Sequence, residues 1–350
     1  MRTLHLACLP FPSPQGTQGV LRAMLDALGS GAHLLTYGWG AADGRAPVGW
    51  THHRLRNVPR MQGLRSGPSL GKVLHDAQMI GRARALARGL APDLVVAHNV
   101  EAALVARAAG LGPRVYYAHT RFDAELPTYA PSLPGLGALG AALDRVACGA
   151  DAVVAITPAL AAHLGAEALL PPWPTDDVPI APRPHGAGPR SARPAVLYAG
   201  NLDGYQGWED AAEATRRAGL RFLVATASDP APLARFPHAE VRPLATEADR
   251  RGAHAEADLV VVPRRAPGGL PIKLLDALAR DVPVVATRRA LAGLDPAGVR
   301  VAADDDPAAL ARSLREALAA PPRGGRAWVE GALHPARFRE AMETLAQRLR

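Results

Sequence analysis

Residues 260–287 read VVVPRRAPGGLPIKLLDALARDVPVVAT. The β-branched run at 260–262 predicts a buried strand; Gly268 and Gly269 predict a tight turn, and Pro271 stands where a first helical residue belongs. Such a strand, loop and helix sets the unpaired amides of a helix start beside Arg264 and Lys273, a combination that attracts anions and suits a diphosphate. Asp276 lies three residues after Lys273 on the same helical face, where a carboxylate can accept hydrogen bonds from ribose hydroxyls. A plain βα unit with Lys273 and Asp276 as a solvated pair has the same outline, but the cations flanking the glycine turn favour the anion site.

Outward from this block the pattern repeats. In the first half, strands are expected at 4–10, 32–37, 93–97, 114–118 and 152–156, with helical stretches from residue 20 and at 73–90 and 100–109. Residues 11–19 are expected to form a loop after the first strand. The second half restarts with AVLYAG, then a helix at 208–218 and strands at 221–225, 241–243, 259–262 and 283–286, with 299–302 as an edge. Strands alternating with helices imply doubly wound parallel sheets, whose ligands gather at the carboxyl ends of the strands. Between the halves, residues 170–194 are crowded with proline and glycine and read as a linker. The expected division is an N-terminal domain at 1–169, a donor domain at 195–335, and a last helix at 336–350 that packs back on the N-terminal domain.

The composition narrows the function classes. No apolar run approaches the roughly 20 residues of a membrane span, and the start reads as a strand, so a cytoplasmic protein is expected. Cys8 and Cys148 stand far apart without metal-ligand spacing and read as core residues. The net charge of +8 is concentrated between residues 44 and 90, where Arg45, Arg54, Arg56, Arg60, Arg65, Lys72, Arg82, Arg84 and Arg88 face one acid, Asp76. Two readings stay open for this patch: peripheral contact with an anionic membrane through Arg54, Arg56, Arg60 and Arg65 on its inner face, or a solvated surface. No recognition motif or aromatic interleaving accompanies the charge, so nucleic acid is not expected as a partner.

The segment GGLPIKLLDALARDVPVVA resembles the donor-site signature of GT-B glycosyltransferases of the retaining family 4 type. The resemblance implies two Rossmann-like domains with parallel sheets facing across a cleft. In the family's paired acids, the second, which holds ribose, falls at Asp276; the first, which contacts the sugar, falls at Gly268. Asp281 stands where the family has a glycine after the helix, and it tolerates a left-handed cap better than most residues.

Three other segments are similar to the family. PFPSPQGTQG resembles its glycine loop, in which Gly16 and Gly19 allow backbone approach to the donor. VYYAHTRFDAEL resembles the stretch whose histidine contacts the donor sugar, here His119. His98, at the end of another strand, with Asp123 and Glu125, stands as a possible acceptor-side group, although the two acids also read as helix caps. LYAGNLDGYQG resembles the start of the second domain, but the arginine and lysine that bind diphosphate there are replaced by Asn201 and Gln206, which leaves the charge to Arg264 and Lys273. It is similar to a branch of the family with YQG here and an arginine before the second glycine turn.

The resemblance implies retaining transfer of a sugar from a nucleoside diphosphate to a hydroxyl acceptor, lipid-linked or a cell-surface glycan precursor. His119, Arg264 and Lys273 are the expected catalytic set, and Gly16, Asn201, Gln206, Gly268, Gly269, Leu270 and Asp276 the donor contacts. No cofactor or metal is expected beyond the nucleotide sugar itself; the acids at 304–306 read as a cap for a helix at Pro307. Two alternatives stay open: a non-catalytic nucleotide-sugar-binding partner of another transferase, since the paired acid is incomplete, and a nucleotide-sugar epimerase of the same architecture.

Overall fold

The computed structural model describes the chain except residues 14–15, 41–45, 58–69, 131, 176–177, 179–192 and 266–268. Gly268, Arg45, Arg60, Arg65 and most of the expected linker therefore lie outside the described residues. The chain forms two compact units, the first made of Met1–Pro172 with Pro335–Arg350 and the second of Trp173–His334.

Unit 1 is built on seven strands: β1 (Thr3–Ala7), β2 (Ala32–Thr36), β3 (Thr51–Arg54), β4 (Leu94–His98), β5 (Arg114–Ala118), β6 (Ala152–Ala155) and β7 (Glu167–Ala168). They lie in the order β3-β2-β1-β4-β5-β6-β7, and the pairings are all parallel. Helices α1 (Gly16–Leu28), α2 (Leu70–Leu90), α3 (Asn99–Ala108), α4 (Phe122–Tyr129), α5 (Leu136–Ala147) and α6 (Pro158–Leu164) connect them. β1 and β4 are buried along their whole length, as strands covered on both faces must be.

Unit 2 repeats the plan with β8 (Ala195–Ala199), β9 (Arg221–Thr226), β10 (Ala239–Pro243), β11 (Leu259–Val262), β12 (Val284–Ala286) and β13 (Val299–Val301) in the order β10-β9-β8-β11-β12-β13, again parallel. Its helices are α7 (Trp208–Ala218), α8 (Glu247–Glu256), α9 (Ile272–Ala279), α10 (Arg288–Leu291), α11 (Pro307–Ala319) and α12 (Gly325–Ala332). Val196, Tyr198, Trp208, Phe222, Val261 and Leu310 belong to one buried cluster that joins the sheet to α7 and α11. The last helix, α13 (Pro335–Arg348), belongs to unit 1: it packs on α1, Arg339 donates two hydrogen bonds to the Ala27 carbonyl, and Arg348 pairs with Glu167.

Both sheets reverse their winding beside the first strand, between β1 and β4 and between β8 and β11. In such sheets the crevice at the carboxyl ends of these strands is where ligands bind.

Several expectations change. α1 begins at Gly16, so Gly16 and Gly19 lie inside a helix rather than in a loop. Among the described residues, no atom beyond its chain neighbours and its own helix backbone stands within 4 Å of a Cβ built on Gly19, so open space rather than crowding surrounds it. β3 was not foreseen because THHR has no apolar alternation; it is an edge strand and needs none. Pro271 is the N-cap of α9 and not its first residue. Cys8 and Cys148 are free thiols of intermediate exposure. Two expectations hold: Asp306 caps α11 by accepting from the amides of Ala308 and Ala309, and Asp281 takes the left-handed conformation, φ 55°, that a helix end requires.

Candidate functional site

In unit 2 the polar groups converge where β8 and β11 give way to loops. Lys273, in the first turn of α9, buries its ammonium: Nζ donates to Gln206 Oε1 at 3.1 Å and lies 4.0 Å from the centre of the Tyr198 ring. Gln206 ends a 3-10 turn at Gly204–Gln206, and Tyr198 lies in β8, its hydroxyl donating to the Asn201 carbonyl at 2.5 Å. Gly200 adopts φ 149°, and a Cβ there would stand 2.9 Å from Lys273 Nζ, so glycine at this position leaves the ammonium its place.

Arg264 stands two residues past the end of β11. Its Nη1 donates to the Gly269 carbonyl at 2.6 Å, and its guanidinium lies 5.8 Å from the Tyr205 ring centre. The loop is tied to the 3-10 turn by the Arg265 amide, which donates to the Tyr205 carbonyl at 3.0 Å, and by the Arg265 guanidinium, which grips both oxygens of Asp210 at 2.7 Å. Burial pulls the Lys273 pKa well below its ordinary value of 10.5, and the neighbouring charge of Arg264 pulls it further. Among the described residues no carboxylate lies within ion-pair distance of Lys273. A buried ammonium without a carboxylate, with the charge of Arg264 beside it, suits an anion, and the start of α9 adds its dipole.

The remaining donor candidates take different places. Asn201 is exposed and bonds Asp203 through Nδ2 at 2.7 Å; Gly269 and Leu270 are buried. Asp276 does not pair with Lys273: its Oδ2 accepts from Arg250 Nη1 at 2.6 Å, and the carboxylate is 12% exposed. Arg250 comes from α8, as does the buried His254, and no pattern near Asp276 in the sequence announces either.

In unit 1, His98 ends β4 and His119 follows β5, and the two are joined: His98 Nδ1 lies 2.9 Å from His119 Nε2. His98 Nε2 in turn lies 2.9 Å from Nδ1 of His5, a residue of β1 that no motif marks. Both ring nitrogens of His98 are thus engaged, which turns it away from an acceptor and toward His119. The signal available was a histidine at alternate position to Thr3 in an otherwise apolar strand buried on both faces. Burial lowers His5 and His119 to about 3, with His33 adding to the shift of His5, and drives His98 well below 6.5, with His119 and His5 adding to it.

Asp123 and Glu125 lie in the first turn of α4 but do not cap it. Asp144 of α5 does so, accepting from the amides of Phe122 at 3.1 Å and Asp123 at 3.4 Å. Asp123 pairs with Arg121 at 2.7 Å, while Glu125 accepts from the hydroxyls of Thr120 and Tyr129. A second polar group lies at the same sheet edge. Tyr37, just after β2, donates to Asp76 at 2.7 Å, and its ring packs with Trp39 and His75. Glu101, in the first turn of α3, is pushed up to about 6 by burial.

Comparison with known proteins agrees with this architecture. A model of Glycosyltransferase Family 4 matches residues 20–179, and one of Glycosyl transferases group 1 matches residues 193–320. Among solved structures, the sucrose-phosphate synthase of Thermosynechococcus elongatus superposes with a TM-score of 0.78 at 16% identity, covering 100% of this chain and 99% of that one. Anabaena Alr3699/HepE in complex with UDP and glucose gives 0.70 at 15% identity, with 99% of each chain covered. A UDP-forming α,α-trehalose-phosphate synthase from Burkholderia vietnamiensis gives 0.67 at 15%, covering 99% and 100%. No curated protein matches the chain by sequence. The chain belongs to the GT-B glycosyltransferases. Within that class, its N-terminal half matches the family 4 model and its C-terminal half the group 1 model.

Proposed function

We propose that the protein transfers a sugar from a nucleoside diphosphate to a hydroxyl acceptor with retention of configuration, and that unit 2 holds the diphosphate through Lys273, Arg264 and the amides at the start of α9. The observation that carries this reading is the buried ammonium of Lys273 beside Arg264, with a glutamine oxygen and a tyrosine face for partners. Burying a cation beside another cation costs stability, and a bound dianion offsets that cost. Departure of the diphosphate is the demanding step. Fixed cations aimed at the developing charge lower its barrier without reorganising, and they carry the charge that a metal ion would otherwise balance. Asp276, braced by Arg250, accepts from ribose hydroxyls; His119 meets a sugar or acceptor oxygen.

UDP is the leading donor base in this proposal, because the Anabaena relative holds UDP and the trehalose-phosphate synthase forms it. Calorimetric titration of the full chain with UDP, GDP, dTDP and their glucose conjugates tests it. Saturable binding of one nucleoside diphosphate, followed by sugar transfer, is expected; donor isomerisation without an acceptor would favour an epimerase. No binding of any nucleotide would sink the reading.

A second proposal concerns the acceptor side. Among the described residues, α2 exposes Val73 and Leu74 next to Lys72, and Arg54, Arg56, Arg82 and Arg88 are also exposed. Apolar groups beside basic ones suit attachment to an anionic lipid surface, each basic residue contributing about 1 kcal/mol, and a lipid-linked or cell-surface glycan acceptor would be met there. Arg84 takes no part, since it donates to the carbonyls of Ala108 and Ala109. No helix among the described residues is long and apolar enough to cross a membrane. Flotation with phosphatidylserine vesicles should be lost when Arg54 and Arg56 are changed to Glu; retention would refute the attachment.

A further inference from the structure

We infer that Thr3, His5 and His98 fix the tautomer of His119, so that its ring presents an Nδ1–H donor to the oxygen it meets. This deepens the reading of His119 as an oxygen-contacting group and rests on it for its catalytic meaning.

The arrangement follows from the strand order. Thr3 and His5 are alternate residues of β1 and share one face; β4 lies next to β1, and β5 next to β4. His98 at the end of β4 and His119 just past β5 therefore continue a row across the sheet. The links are Thr3 Oγ1 to His5 Nε2 at 3.1 Å, His5 Nδ1 to His98 Nε2 at 2.9 Å, and His98 Nδ1 to His119 Nε2 at 2.9 Å. Thr3 and the three imidazoles are each at most 3% exposed.

A neutral imidazole has one N–H and one acceptor nitrogen. In a row joined nitrogen to nitrogen, the direction of one link sets all the others. Burial keeps His5 and His119 neutral at pH 7, their pKa values lying near 3, so this count of hydrogens holds.

Thr3 sets the direction. Among the described residues, the side-chain partner of its buried hydroxyl is His5 Nε2. If the hydroxyl only accepted, its own O–H would be buried without a partner, at a cost of roughly 1–3 kcal/mol. When it donates, His5 Nε2 accepts, His5 Nδ1–H donates to His98 Nε2, and His98 Nδ1–H donates to His119 Nε2. The hydrogen of His119 is thereby placed on Nδ1. His119 is then a hydrogen-bond donor and not a proton acceptor, since protonating Nε2 would break the link to His98. Thr3, His5 and His98 are positioning residues: they act on substrate through His119.

The test is a long-range ¹H–¹⁵N correlation spectrum of the full chain labelled at histidine, at pH 7. Nδ1–H patterns are expected for His5, His98 and His119. Thr3→Val removes the hydroxyl, and the pattern of His119 is expected to shift toward Nε2–H; Thr3→Ser keeps the hydroxyl and should restore it. An Nε2–H pattern at His119 in the unsubstituted protein would overturn the inference, as would a folded Thr3→Val protein whose His119 pattern is unchanged. The first of these needs no variant to fold. Neither uses nucleotide or acceptor, so their failure is distinct from failure of the transferase reading, which the nucleotide titration decides.

Discussion

Replacing Lys273 by methionine should weaken nucleoside diphosphate binding about 100-fold while leaving the protein at least as stable as before. Truncating one charge of a desolvated, hydrogen-bonded pair costs roughly 2–5 kcal/mol of binding, and a 100-fold loss falls in the lower half of that range. Stability should move the other way. The fold lowers the pKa of Lys273, so the charged ammonium is disfavoured in the native state and costs stability at neutral pH. Between the lowered native pKa and the unfolded value of 10.5 the unfolded chain binds more protons, so the wild type gains stability as pH rises through that window. Lys273→Met should lack this gain. Methionine keeps the length of the stem and its packing on Tyr198. Titration of UDP, and thermal denaturation at pH 7 and 9, check both halves; full retention of affinity would remove Lys273 from the site.

Asp276→Ala should behave in the opposite way, with a stability loss of about 2 kcal/mol and a melting temperature lower by roughly 4–8 °C. Its carboxylate meets Arg250 at 2.6 Å, and the Arg250 side chain is only 29% exposed. Removing the partner leaves the half-buried guanidinium to Glu247, 3.4 Å away and itself largely exposed. A fully buried pair would cost about 3–5 kcal/mol to break, and partial exposure reduces that. If Asp276 also holds ribose, the variant should lose affinity for the nucleoside diphosphate but keep it for inorganic pyrophosphate, which has no ribose. Equal losses for both would show that the effect is a displaced α9 and not a missing ribose contact. An unchanged melting temperature would refute the bracing role.

The contrast between these residues shows what the sequence can and cannot display. Lys273 and Asp276 were legible as a pair because glycines, a proline and an apolar period mark the start of α9. Their partners were not, since Tyr198, Gln206 and Arg250 come from other elements and are joined to α9 by folding alone. The sheets were legible for the same reason as the helix: runs such as LVVV and AVLYA are apolar on both faces, and parallel strands need that. β3 was hidden because an edge strand escapes the requirement. His98 and His119 could each be placed at a strand end, but the strand order that makes them neighbours of His5 is a property of the sheet.

The placement of α13 bears on how the protein is made. Phe338, Met342 and Leu345 are buried in a unit whose other residues end at Pro172, so that unit lacks part of its apolar cover until the ribosome has passed all of unit 2. Domains generally fold in the order of their synthesis. Here the half translated first is completed last, and a released chain ending before Pro335 would carry a finished second half and a first half with its α1 surface still open to chaperones and proteases.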